Sequence, residues 1–476
     1  MAQLQSILDA TSSFVWGPWL LIPLLLATGI FMTVRLGGIQ FRTLFHALWL
    51  GLFRRTEKGA SGGDVSHYQA LSTALAATVG VGNIAGVATA IGIGGPGALF
   101  WMWVTGLLGM ATKYSEALLG VMYRRPDSKG EMSGGPMFYL RHGLAESSVF
   151  GGRLRGLGTV LGFAFAIFGA IAAFGIGNLV QANSVADQLN STWNVPTWAT
   201  GVALVLATAA VGLGGIKSIG RFAGAFVPVM IIFYIISTVT VLLIFLPELP
   251  GAIALVFTDA FTGTAATGGF VGSGILIAMQ YGLARGIFSN ESGLGTGGIA
   301  ASAAKTEQPV RQAMVSMTQT FIDTMIIVTL TALCIIVTGA WSESGEEGAP
   351  MTAWALDQAL PGGLGSYVIA IGITVFAFTT LVGWCYYGER CMDFLFGRKA
   401  VLPYRIVFIV VSFFGATTTL ELVWAFSDIA NGLMALPNLV GLLLLSPIVA
   451  AATKKYFANP NWRDPDASPP PLVDVR

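Results

Sequence analysis

Charge is what this chain has least of. Only 10% of its 476 residues are Asp, Glu, Lys or Arg, whereas 54% are hydrophobic, and the mean hydropathy is +0.73. A soluble domain carries roughly 25% charged residues on average, so this composition excludes a soluble globular protein and points to a polytopic membrane protein. Basic runs and basic patches interleaved with aromatics are missing, which excludes nucleic acid as a partner. Histidine is scarce, and His46, His67 and His142 have neither a paired nucleophile nor HExxH spacing, which argues against a membrane metalloenzyme. The three cysteines, Cys334, Cys385 and Cys391, lie in or beside apolar stretches without metal spacing and read as small buried hydrophobes. The stretch GIGGPG at 92–97 fits G-x-G-x-x-G by letter, but no strand precedes it, so a dinucleotide site is excluded. The N-terminal stretch lacks a basic n-region and a small-residue cleavage site, which predicts a retained first span.

What the chain does have is long apolar runs. About 20 predominantly apolar residues cross the hydrocarbon core as a helix. That length predicts eleven spans, at 15–34, 68–95, 98–123, 156–186, 197–214, 222–246, 268–298, 312–340, 365–388, 403–419 and 430–452. With the N-terminus outside, all 25 Lys and Arg fall on inner segments, while an outer loop such as GAWSESGEEGAP carries only acids. The positive-inside rule therefore favours an odd number of spans, N-terminus out and C-terminus in. The Pro-rich end, 456–476, reads as a disordered cytoplasmic tail.

Two spans contradict their own length. TVGVGNIAG (78–86) places three glycines and an asparagine in the middle of 68–95, and GFVGSGILIAMQYGLARGIFSNESGLGTGG (269–298) is again too long, Gly-interrupted and polar. Glycine weakens a helix interior by up to about 1 kcal/mol, and freed backbone groups survive in lipid only where protein or a water-filled cavity surrounds them. Packing faces of small residues are the plain alternative for one such span. Two of them at corresponding positions, running in opposite directions and each starting a five-span unit, predict an inverted-repeat transporter. A channel fits less well, because it needs subunit rings or repeated filter loops.

The stretches ALSTALAATVGVGNIAGVATAIGIGGPGALFWMWVTGLLGMATKYSEALLGVMYR, GNLVQANSVAD and ARGIFSNESGLGT resemble the alanine or glycine:cation symporter family, also called sodium:alanine symporters, over nearly the whole chain. The resemblance implies an all-α, leucine-transporter-like fold of two inverted five-helix repeats with broken helices, plus one extra N-terminal helix. The parts are then 1–66 (extra helix and a cytoplasmic amphipathic segment), 67–247 (first repeat), 248–455 (second repeat) and the tail 456–476. The implied function is sodium-coupled symport of a small neutral amino acid, alanine or glycine, across the plasma membrane by a protein expected to work as a monomer. A proton-coupled carrier of the same fold is the alternative.

Within that frame, the substrate carboxylate is expected on backbone N–H groups around Thr78, Val79, Gly80 and Gly82, since neither broken span carries a mid-membrane Lys or Arg. The ammonium is expected on carbonyls from Gly274 to Met279 and on an amide from Asn83, Gln181 or Gln280. Met279, Phe376 and Trp384 are candidates for the bulk that sets side-chain size. For sodium, Thr379 and Thr380 resemble the paired hydroxyls of the leucine-transporter fold, with the carbonyls of Ala76 and Val79 as partners by motif alignment. A second sodium at Asn83 is a further candidate. Asp323, an acid inside a span, is a functional candidate by default, the alternative being a pairing with Lys113 or with Gln319 and Thr320. Arg285, Asn290 and Glu291 are expected on the cytoplasmic half of the second broken span, as an inner gate or as helix-end caps.

Overall fold

The apolar runs become helices, and what shapes the molecule is where each helix stops. The computed structural model describes residues 2–17, 19–57, 62–146, 150–262, 271–418 and 420–464; the expected tail beyond 464 lies outside them. The principal helices are α1 (Ala2–Val15), α2 (Leu21–Arg35), α3 (Ile39–Arg54), α4 (His67–Thr78), α5 (Gly82–Gly94), α6 (Ala98–Met122) and α7 (Arg155–Trp193). Next come α8 (Thr197–Gly212), α9 (Gly215–Ile244), α10 (Leu249–Thr262), α11 (Val271–Asn290), α12 (Thr296–Ser302) and α13 (Pro309–Val337). The chain continues through α14 (Gly348–Asp357), α15 (Leu364–Phe396), α16 (Val401–Thr417) and α17 (Leu420–Phe457).

Among the described residues, six helices are long and apolar enough on their own to cross a bilayer, and two bent pairs raise the number to eight. Their outer surfaces suit lipid. Val229, Ile232 and Ile236 on α9 are 66%, 57% and 61% exposed, which a soluble core helix would not tolerate. One bent pair is α2 and α3, which meet at 81°, and Gly37 and Gly38 supply the left-handed corner at φ +61° and +65°. Helix α3 exposes Phe41, Phe45 and Phe53.

The other bent pair, α4 and α5, turns by 53°. Val79 leaves the helix at φ −75°, ψ 92°, and α5 restarts with a wide π-type turn over Gly82–Gly86. The break expected in TVGVGNIAG is therefore present, at 79–81. A second break separates α11 from α12, but it does not fall at Gly274–Met279, which are regular helix. It falls at Glu291–Gly295, where Glu291, Gly293 and Gly295 all have positive φ (57°, 95° and 90°). Helix α10 occupies the expected loop before the second broken span, and its Asp259 Oδ2 accepts from Gly97 N at 2.8 Å.

The two faces of the helix bundle differ in charge. One gathers Glu347 of the acidic loop at 342–347 with Asp187 and Asp428, and the other gathers Arg125, Arg141, Arg398 and Lys399 about a short hairpin, Arg125–Pro126 paired with Met132–Ser133.

Candidate substrate and ion site at the helix breaks

The two breaks lie side by side. A Cβ on Gly82 would come within 3.1 Å of Ser289 Cα, so a glycine is needed for the backbone of the first break to pass the end of α11. Asp323 ties the pair together. Its Oδ1 accepts from Asn83 Nδ2 (2.7 Å), and its Oδ2 accepts from the hydroxyls of Ser289 (2.9 Å) and Thr324 (2.9 Å). Asp323 thus engages neither Lys113 nor Gln319 and Thr320 as direct partners; it sits in the π-type stretch Phe321–Val328, which turns it toward the first break.

At the first break, side-chain amides hold the exposed backbone donors. Gly80 N donates to Asn83 Oδ1 at 2.9 Å and Val81 N to Gln181 Oε1 at 3.2 Å. Gln181 also spends its Nε2 on Ile176 O (2.9 Å), and Thr78 Oγ1 accepts from Gln319 Nε2 (3.0 Å). Freed groups in a membrane protein need such partners, and here they come from α7 and α13. On the carbonyl side, Thr380 Oγ1 donates to Ala76 O at 3.1 Å and shares its proton with Phe376 O, also at 3.1 Å. Gly80 has no room for a side chain, since a Cβ would come 2.5 Å from Thr380 Oγ1 and 3.0 Å from Gln181 Oε1.

At the second break, ionisable groups replace the amides. Glu116 Oε1 accepts from Gly293 N (2.9 Å), Gly295 N (3.0 Å) and Asn438 Nδ2 (2.9 Å). Lys113 Nζ donates to the Glu291 carbonyl at 3.2 Å. The Glu291 carboxylate accepts from Trp384 Nε1 and from Thr296 Oγ1, both at 2.7 Å. All three ionisable residues are buried, Glu116, Glu291 and Lys113 at 0%, 1% and 2% exposure. The arrangement repeats: α6, which follows the first broken helix, brings an acid to the second break, and α13, which follows the second, brings Asp323 to the first.

Several expected site residues are therefore placed elsewhere. Gly274, Met279 and Gln280 lie on an unbroken part of α11; Met279 is twelve residues before Glu291, about 18 Å at 1.5 Å per residue. Phe376 turns its ring to Tyr234, with centroids 5.2 Å apart. Thr379 faces Met230 Sδ at 3.7 Å rather than Ala76, because adjacent residues on a helix point about 100° apart. Trp384 does reach the breaks, but as a hydrogen-bond donor whose side chain packs against Gly177, where a Cβ would collide with Trp384 Cβ and Cγ. Thr78, Val79, Gly80, Gly82, Asn83, Gln181, Ala76 and Thr380 are brought together at the first break. Asn290 and Glu291, expected nearer the basic face, stand at the second. Lys113 and Glu116, missed as site residues, had a signal: two ionisable residues three positions apart in one predicted span.

Arg285 also lies on the opposite face from the one expected. It forms a bidentate pair with Asp428 (3.2 and 2.8 Å) and stacks over Trp424, 4.4 Å from the ring centroid. Above the pair is a cavity of about 620 Å³, lined by Tyr281, Asp187, Ala85, Glu347 and the first turn of α14. On the basic face a clasp of hydrogen bonds joins α6 to the segments at 62–65 and 302–306. Arg124 donates to four carbonyls, those of Ser302 (2.9 Å), Ala304 (2.6 Å), Gly62 (3.1 Å) and Thr306 (2.6 Å), and Val65 bridges to Ala304. Next to that clasp, burial pushes the Glu57 carboxyl up, but hydrogen bonds from His67 and Thr306 and the charge of Arg311 hold it below its ordinary value.

The profile of the Sodium:alanine symporter family matches residues 1–466. The sodium/alanine symporter AgcS of Methanococcus maripaludis is 50% identical over 95% of this chain and 97% of its own. This chain belongs to the sodium:alanine symporter family. A probable sodium/glutamine symporter, GlnT of Bacillus subtilis, is 34% identical over 95% of this chain and 91% of its own. The structure of MhsT in complex with L-phenylalanine aligns with a TM-score of 0.57 at 14% identity, covering 87% of this chain and 99% of that one. That likeness shows the leucine-transporter-like fold alone. As a family member the protein is a multi-pass membrane transporter rather than an enzyme.

Proposed function

We propose that this protein carries a small neutral amino acid such as alanine into the cell together with sodium, by alternating access about the two helix breaks. The observation that carries the reading is the first break. Its carbonyl end meets a single hydroxyl, Thr380 on Ala76 O, while its N–H groups are held only by the neutral oxygens of Asn83 and Gln181. A carboxylate is a stronger acceptor than an amide oxygen, so it displaces them from Gly80 and Val81, with Thr78, Val79 and Gly82 lining the same turn. The released amides are then available to the ammonium. Sodium, a hard cation, takes the carbonyls of Ala76 and Val79 and the Thr380 oxygen; Thr379 supports the helix rather than the ion. Trp384 borders the site through Glu291.

In this reading the helices form eleven spans with the N-terminus outside and the C-terminus inside, the units 67–247 and 248–455 being inverted repeats and 1–66 an addition. The acidic face is then extracellular. The 620 Å³ cavity is the entry route, the Arg285–Asp428 pair is its floor, and the Arg124 clasp closes the inner side. A monomer contains every part of this path. Coupling by protons is the weaker alternative, because the family and its AgcS relative are both named for sodium.

Uptake of labelled alanine into proteoliposomes tests the reading. Accumulation under an inward sodium gradient, and not under potassium or a proton gradient, is the expected result. Accumulation under protons alone would refute sodium coupling and move the search to Asp323.

A further inference from the structure

Each break ends a half-helix, and the two are unlike in what meets their carbonyls. At each, a half-helix ends in mid-bundle with its negative dipole end and freed carbonyls exposed. At the end of α4 the partner of Ala76 O is a neutral hydroxyl, that of Thr380. At the end of α11 Glu291 O accepts from Leu294 N and, on its other side, from the ammonium of Lys113, both at 3.2 Å. We propose that Lys113 is a tethered cation that permanently occupies the ion position of the second break, so that one sodium, bound at the first break, accompanies each amino acid. The inference rests on the symport reading above and fixes its ion count.

Three observations carry it. Lys113 is 2% exposed, and no carboxylate lies within ion-pair distance of its Nζ among the described residues, so its contact is with backbone rather than with an acid. Acids nevertheless surround it: Glu116 lies three residues along the same helix, and Glu291 supplies the carbonyl itself, both buried. The route to the carbonyl is built as well: a Cβ at Gly297 would collide with Lys113 Cδ and lie 3.1 Å from Glu116 Oε2. A glycine on the first turn of α12 therefore leaves the groove through which the lysine stem passes.

A tethered ammonium differs from sodium in one measurable way: it does not exchange with solution. The deciding measurement is the sodium:alanine ratio of the wild-type protein, read in proteoliposomes as the membrane voltage at which a fixed alanine gradient and a fixed sodium gradient give no net flux. The proposal expects one sodium per alanine. Two per alanine would overturn it and leave symport standing; absence of sodium-driven uptake would overturn both. The variant arm uses Lys113→Met, which keeps the stem and removes the charge, with Lys113→Arg as the charge-retaining control. Lys113→Met is expected to shift sodium activation to at least tenfold higher concentration or to steepen it toward two-ion dependence, while Lys113→Arg stays within threefold of wild type. A Lys113→Met protein with the wild-type sodium curve would overturn the proposal. Gly297→Ala, which displaces the stem without removing the charge, is expected to move the curve in the same direction and serves if Lys113→Met does not fold; an unchanged curve there would also overturn it.

Discussion

Replacing Trp384 by phenylalanine isolates one hydrogen bond. The indole is 1% exposed, packs on Gly177 and donates to the Glu291 carboxylate at 2.7 Å. Phenylalanine keeps an aromatic ring in that slot and removes the N–H. A hydrogen bond to a charged group contributes about 1.5–3 kcal/mol, and the smaller ring adds a packing loss of about 1 kcal/mol. Thr296 remains as the other donor to that carboxylate, and the two losses together put Trp384→Phe at a cost of about 2.5–4 kcal/mol of stability. The bond should also appear as coupling. In a Glu291→Gln background the partner is a neutral amide, whose bond contributes about 0.5–1.5 kcal/mol, so the same Trp384→Phe change should cost about 1–2 kcal/mol less. Equilibrium unfolding of the four proteins in mixed micelles completes the double-mutant cycle. A Trp384→Phe protein within about 0.5 kcal/mol of wild type, or an equal loss in both backgrounds, would refute the assignment and return Trp384 to simple bulk.

Other substitutions divide the site by function. Thr380→Val removes a proposed ligand and should raise the sodium concentration for half-maximal alanine uptake by at least about tenfold, since losing even a group that only supports a ligand costs about that much, whereas Thr379→Val should leave it unchanged because that hydroxyl faces Met230; equal effects in a sodium titration would contradict the assignment. Gly80→Ala should abolish uptake while the protein still reaches the membrane, since the new methyl lies 2.5 Å from Thr380 Oγ1; a binding assay with labelled alanine checks it. At the inner face, Glu57 titrates below its ordinary value when folded. Its stabilising contribution is therefore present above the ordinary carboxylate range and is lost as pH falls through the lowered value. Unfolding followed from pH 6 to 3 should show a loss that Glu57→Gln removes.

Composition and run length alone determine that this chain lives in a bilayer, because too few charges remain to clothe a soluble surface. The sequence also contains the first break: four residues in TVGVGNIAG disfavour a helix, and the chain unwinds among them. The second broken span was legible, but its break was not. Glycines at 272 and 274 permit unwinding no less than those at 293 and 295, and the choice falls to the pair whose freed N–H groups meet Glu116 and whose neighbouring carbonyl meets Lys113. Those partners come from α6, some 180 residues earlier in the chain. The same limit separates Thr380 from Thr379 and moves Arg285 to the opposite face. Sequence states which groups would need a partner in a membrane, and tertiary packing decides which of them receives one.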